Sequence, residues 1–464
     1  MAALDAKFLY SETPTTHMHT IKVAVSDVSA DRSGFSFDTF ADVFRHLLVR
    51  LPAFRRRIVS VPGGLDHPVW VEDPEFELGR HLTRMALADP GSDEQLANAI
   101  AAFASKPLLR DRPLWELLVL EGLARERVAV VVKIHHAVAD GTAAVAMLRN
   151  AVQGVAGTVS VDLVDDPWQP EPLPTRRQLL SMAAHDHVSR WKGLPRLVRR
   201  SITQTRASEH HRRTFAPMPP LPLHHIPKTS FNVSITSERT FAMTNLPLGE
   251  LQAIRKAAGT TLNDVYLTIC GGALRQYLSD RGELPDRPLV ASVPVSTDPD
   301  RARLSGNRVD NLYVFIGTDI ADPLRRLEHI HKGMEASKEV RGLLGHDGLA
   351  QRADVVPPQI YHSIVRMWGR SHIADRVKPP LNVVLSNVAG PRDRISFGRT
   401  QLEALYSVGP ILEGIGLNIT AWSYADALGV SVLACPTSVT DPWAIVAALH
   451  DSLDELRIAI DRIA

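Results

Sequence analysis

Two cysteines in 464 residues, Cys270 and Cys435, leave no material for a disulfide framework. Both sit inside apolar runs far apart in the chain, which reads as buried thiols in a reducing compartment. No window holds the roughly eighteen uninterrupted apolar residues that a membrane-crossing helix needs. The opening Met1-Ala2-Ala3-Leu4-Asp5-Ala6-Lys7 lacks the basic start and apolar stretch of a secretion signal, so a cytoplasmic location is expected. Charge of one sign is missing too. Lys and Arg number 52 against 51 Asp and Glu, and that balance gives no reason to expect a nucleic-acid partner. No metal is expected: the loop pairs His210-His211 and His224-His225 have no Cys or carboxylate partners at ligand spacing. Nucleotide-phosphate loops and dinucleotide fingerprints are lacking as well, so no bound cofactor is expected.

What is present suits a globular protein of two large domains, with 45% hydrophobic and 22% charged residues. Strand-like and helix-like stretches mix in both halves, the pattern of an α/β fold. Ile21-Lys22-Val23-Ala24-Val25 alternates like a strand. Ser36 can cap a helix carrying Phe40, Phe44, Leu47 and Leu51, and Ser92 with Gln95 forms a capping box. The second half restarts near Phe241 and closes on an amphipathic helix opened by Asp441-Pro442. Between the halves, residues 165–174 are Pro-rich and acidic, and Pro217, Pro219, Pro220, Pro222 and Pro227 mark a stiff linker. Residues 176–213 hold ten Lys and Arg against Asp186 and Glu209. Interleaved with Leu179, Met182, Trp191 and Leu197, they admit two readings. One is a basic amphipathic segment for an anionic membrane or lipid-droplet surface; the other is a solvated crossover helix interrupted at Gly193 and Pro195. The run Arg55-Arg56-Arg57 reads as a solvated edge. The expected division is 1–164, a crossover over 165–235, and 236–464.

The sharpest feature is His135-His136-Ala137-Val138-Ala139-Asp140-Gly141. It follows a β-branched run over 128–134 and precedes strong helix formers over 142–148, so it spans a strand-to-helix turn. Adjacent strand residues face opposite ways, so one histidine can face a cleft while the other packs inside. Asp140 sits where unpaired N–H groups favour a carboxylate.

HHxxxDG resembles the signature of CoA-dependent acyltransferases with the chloramphenicol-acetyltransferase-like fold, a group that includes peptide-synthetase condensation domains. Over nearly its whole length the chain is similar to the bacterial wax ester synthase/diacylglycerol acyltransferase family. Pro113-Leu114-Trp115 matches that family's proline-leucine-tryptophan motif and Asn263-Asp264-Val265 its asparagine-aspartate motif. Ser386-Asn387-Val388-Ala389-Gly390-Pro391 matches a third motif, with Ala389 in place of the usual proline, which loosens the turn after that strand. Leu4-Asp5, Phe8-Leu9 and Met18-His19 resemble the family's opening.

The resemblance implies two chloramphenicol-acetyltransferase-like α/β domains with the active site in a channel at their interface. It implies acyl-CoA as a substrate rather than a resident cofactor, and diacylglycerol or a long-chain alcohol as acceptor. An alcohol is a weak nucleophile at neutral pH and needs a base, a task that suits imidazole. By resemblance His136 is that base, with His135, Asp140 and Gly141 beside it. Asp140 is expected to hold the turn by capping and by an Arg pair, and Gly141 to remove a side chain where substrate passes. Asn263, Ser386 and Asn387 have neutral donors for an oxyanion or hydroxyl, although Asn263 also fits a helix N-cap. Asp264, Pro113 and Leu114 join them as substrate-site candidates, with Trp115 as core or channel wall. Two further readings remain open: an acyltransferase of cell-envelope lipids fed by a carrier protein, and a non-catalytic protein that coats lipid surfaces.

Overall fold

The computed structural model describes all residues except 31–33, 157–169, 216–217, 221–225, 299, 301, 345–357, 398 and 464. In the first half the strands are β1 (His19–Asp27), β2 (Arg56–Val59), β3 (Val69–Glu72), β4 (Leu82–Ala86), β5 (Trp115–Leu123) and β6 (Arg127–His135). The second half adds β7 (Thr240–Pro247), β8 (Val290–Ser296), β9 (Val309–Phe315), β10 (Val383–Val388), β11 (Ser396–Phe397), β12 (Thr400–Val408), β13 (Leu417–Tyr424) and β14 (Ala427–Ala434). The helices are α1 (Ala3–Ser11), α2 (Phe37–Leu47), α3 (Asp93–Ala104), α4 (Gly141–Ala156) and α5 (Arg176–Arg212). They continue with α6 (Leu248–Ala257), α7 (Leu262–Asp280), α8 (Pro323–Leu344), α9 (Pro358–Arg370) and α10 (Pro442–Asp461).

Cap chemistry places several helix starts where the residue types require. Ser36 Oγ accepts from Thr39 N, Ser92 and Gln95 close a reciprocal box, and Asp441 Oδ1 accepts from Trp443 N and Ala444 N. Asn263 departs from expectation. Thr261 is the N-cap of α7, and Asp264, three residues on, returns its carboxylate to Thr261 N at 3.0 Å.

Two six-stranded sheets carry the architecture, in the orders β11-β12-β1-β6-β5-β4 and β7-β14-β13-β10-β8-β9. The apolar faces of β10, β13 and β14 build one core with α7, α8 and α10. A second core gathers around Trp115 and α2. The first sheet is completed by the distant half of the chain, since β12 pairs antiparallel with β1, Ile21 opposite Val408. Chain position and sheet membership therefore do not coincide over 396–408. The expected boundary at 164/165, Pro217, Pro222 and His224-His225 lie outside the described residues.

The basic segment forms one helix of 37 residues, capped by a Thr175/Gln178 box. It runs through Gly193 and Pro195, where the crossover-helix reading placed an interruption. Proline removes a single intrahelical hydrogen bond at a cost of about 3 kcal/mol, which a helix of this length absorbs. Both cysteines are free and buried. Among the described residues no helix is long and apolar enough to cross a membrane.

Candidate active site

β6 ends at His135, which the register sets opposite His19 of β1. His135 is 1% exposed. Its Nδ1 accepts from Ala137 N at 3.0 Å, and its Nε2 stands 3.6 Å from Glu12 Oε2. An accepting nitrogen carries no proton, so neutral His135 keeps its proton on Nε2, towards Glu12. Burial lowers its pKa. His135 is thus held inside the first half, with its ring nitrogens towards Ala137 N and Glu12. His19 is equally enclosed, with Nε2 3.0 Å from Ala104 O.

His136 turns the other way. Its backbone N–H donates to Met18 O at 2.7 Å, and its partly exposed ring stacks on Phe8 of α1 at 4.1 Å and 11°. Nδ1 lies 3.0 Å from Asn307 Oδ1. Asn307 Nδ2 donates to Asp5 Oδ1 at 2.7 Å and to His136 O at 2.8 Å. Both amide protons therefore go to oxygens, and the amide oxygen faces the ring. It can only accept, so the imidazole proton sits on Nδ1 and the lone pair on Nε2. Burial pushes the His136 pKa down to about 4, with the Lys22 ammonium acting in the same direction. The ring is neutral at pH 7, as a base must be. Burial also pushes Asp5 up to about 6, against the Asn307 hydrogen bond.

Asp140 ties this turn to the other half of the chain. Its Oδ1 accepts from Ala143 N at 2.9 Å and caps α4. Its Oδ2 accepts from Arg303 Nη2 at 2.6 Å and from Arg308 N at 2.8 Å. Arg303 also donates to Asp298 Oδ2 at 2.5 Å. The backbone zips alongside, with Gly306 N donating to Val138 O at 2.6 Å and Asp140 N to Gly306 O at 3.3 Å. Gly306 holds φ at 78°, a left-handed value that L side chains rarely adopt. A cavity of about 270 Å³ opens beside Asn307 and is lined by Asp5, Arg56, Trp70, Val138, Arg303 and Arg308, among others.

The remaining candidates divide. A Cβ on Gly141 would lie 3.1 Å from Val388 Cγ2, so what this glycine admits in the structure is the end of β10. That contact brings Ser386 and Asn387, partly exposed and paired with Thr420 and Ala421 of β13, to the junction of the two halves. Pro113, Leu114 and Trp115 are buried in the core. Trp115 is 1% exposed, stacks on Phe54 at 4.7 Å and on His81 at 4.4 Å, and donates from Nε1 to Phe54 O. Asp264 is fully buried and binds His331 Nδ1 at 2.8 Å, which makes it a structural carboxylate. Asn263 is the second residue of α7 and makes no hydrogen bond to the histidine turn among the described residues. Asn307, Arg303 and Phe8 were not singled out as site residues from sequence.

Two mixed sheets with the histidine turn at their seam are the arrangement of the chloramphenicol-acetyltransferase-like fold. The first condensation domain of the CDA synthetase shares the fold, at 15% identity and a TM-score of 0.58 over 99% of this chain and 95% of that one. The chain belongs to the wax ester synthase/diacylglycerol acyltransferase family: the model of its catalytic domain matches residues 1–266, and that of its C-terminal domain matches residues 305–457. Two relatives from Mycobacterium tuberculosis H37Rv, each named "Putative diacyglycerol O-acyltransferase", are 38% and 34% identical. These matches cover 99% and 98% of this chain, and 96% of each relative. The solved wax ester synthase/diacylglycerol acyltransferase of Marinobacter aquaeolei VT8 is 25% identical, with a TM-score of 0.64 over 98% of both chains.

Proposed function

We propose that this protein transfers a long-chain acyl group from acyl-CoA to the hydroxyl of diacylglycerol, with a long-chain alcohol as a second acceptor. The observation that carries the reading is the lone pair on His136 Nε2, held there by Asn307. In this reading the acceptor hydroxyl gives its proton to Nε2 as its oxygen attacks the thioester carbonyl. A tetrahedral oxyanion forms and collapses, the C–S bond breaks, and the proton passes from Nε2 to the departing CoA sulfur. No acyl-enzyme is needed, and acyl-CoA enters as substrate with no resident cofactor. Ser386 and Asn387 are the donors best placed by their position at the seam to meet the oxyanion. The basic helix α5 is suited to hold the protein at the periphery of a membrane or lipid droplet, near its apolar substrates.

The test is release of free CoA thiol from palmitoyl-CoA with diolein, hexadecanol or no acceptor. General-base help is worth roughly a hundred- to ten-thousand-fold, so His136→Ala should lose acceptor-dependent release by that order. Equal release by wild type and variant, or release indifferent to acceptor, would sink the mechanism.

A further inference from the structure

Helix α9 rests one side on α1 and leaves the other in water. On the inner side Tyr361 Oη lies 3.0 Å from Ser11 Oγ, His362 Nδ1 lies 3.3 Å from Tyr10 O, and the Lys7 ammonium sits 5.4 Å from the Tyr361 ring centre. On the outer side Ile360, Ile364 and Met367 are 53%, 52% and 60% exposed. Their spacing of four and three puts them in one stripe. A water-facing stripe is expected to be polar, and contiguous large apolar groups there mark a contact surface. The stripe continues onto the neighbouring turn. Gln359 Nε2 donates to Gly64 O at 2.6 Å, and the next residue, Leu65, is 50% exposed. Leu65 O in turn accepts from His187 Nε2 of α5 at 2.7 Å, so the basic helix borders the same face.

Charge selects the occupant. α9 contains no Asp or Glu, and Arg366 and Arg370 are exposed and in no ion pair among the described residues. A second copy docking through this face about a two-fold axis would bring these arginines towards their own counterparts. An anionic lipid surface meets both demands: acyl chains take the apolar stripe and headgroups take the guanidinium groups. We infer that α9, with the turn at Leu65, is the face by which this protein lies on an anionic lipid surface. The inference rests on the acyl-transfer reading for its purpose. α1, beneath α9, carries the Phe8 ring stacked on His136 and the Asp5 carboxylate bound to Asn307. The lipid-facing helix is thus one helix removed from the reacting histidine.

The full chain is sedimented with vesicles of phosphatidylcholine alone and of phosphatidylcholine with phosphatidylglycerol. Two variants run beside it, Ile360→Ser/Ile364→Ser/Met367→Ser and Arg366→Gln/Arg370→Gln, with circular dichroism to check their folds. CoA release from a short-chain acyl-CoA with a water-soluble alcohol is followed in parallel. Wild type should bind the phosphatidylglycerol vesicles more tightly than phosphatidylcholine alone. The apolar triple variant should bind at least about tenfold more weakly, and the arginine pair several-fold more weakly, with that second loss erased by high salt. CoA release should be unchanged in both variants. No vesicle binding by wild type, or equal binding by the triple variant, overturns the inference. So does a lipid-free dimer in sedimentation velocity that the triple variant abolishes, because that assigns the face to a second copy. Absent turnover with lipid binding and its variant pattern intact would remove the acyl-transfer reading and leave the lipid face standing.

Discussion

His136 and Asn307 are 171 residues apart in the chain, yet their hydrogen bond decides which imidazole nitrogen holds the proton. Two kinetic outcomes follow at this scale. The base proposed here, His136, would work only when unprotonated, and burial holds its pKa at about 4 rather than at the usual value. The acid limb of kcat/KM should therefore lie well below pH 6.5, with the profile flat through the ordinary imidazole range. A limb at pH 6.5 would contradict the lowered pKa of the ring. Replacing Asn307 by Ala removes the acceptor at Nδ1 and takes the side-chain amide donor from the Asp5 carboxylate. The expected result is a kcat lower by roughly ten- to a hundred-fold with KM for acyl-CoA nearly unchanged, because the loss falls on the orientation of the base. An unchanged kcat would remove Asn307 from any positioning role. The HHxxxDG spacing was legible because it is local. Asn307 was not, because nothing near it in sequence says which turn it folds against.

Two turns at the ends of elements carry glycines with opposite tolerance. A Cβ on Gly390, just after β10, would stand 2.1 Å from Ser423 O and 2.5 Å from Trp422 Nε1, both on β13. Neither atom is the far end of a flexible chain, so Gly390→Ala should destabilise the fold by about 3 kcal/mol or more. At Gly141 the neighbour is a valine methyl that a rotamer change can move, and alanine gains up to about 1 kcal/mol of helix propensity there. Gly141→Ala should therefore stay within about 1 kcal/mol of wild type. Urea midpoints at equal slope measure both, and the reverse order would refute the account. Element-scale reading from sequence succeeded where the signal was a cap, as at Ser92, and failed where it depended on a partner. Trp115 could be core or channel wall by its sequence alone, and only its packing against Phe54 and His81 sets it in the core.

At the scale of the molecule the halves are laced together. β12 completes the first sheet against β1, and Asp140 of one half holds Arg303 and Arg308 of the other. Calorimetry of the whole chain should show one cooperative transition. Residues 1–235 produced alone should lack it, because β1, paired then only with β6, would be left as an exposed apolar edge. Two resolved transitions, or a cooperatively folding fragment, would show the lacing to be dispensable. The α/β class, the cap-marked helix starts and the histidine-bearing strand were determined by the sequence itself, since periodicity and cap chemistry act within a few residues. Which histidine turns to the seam, where its proton sits, and which apolar residues end in the core or in water were decided only by tertiary structure. Each of those depends on groups tens to hundreds of residues away, whose approach no local pattern encodes.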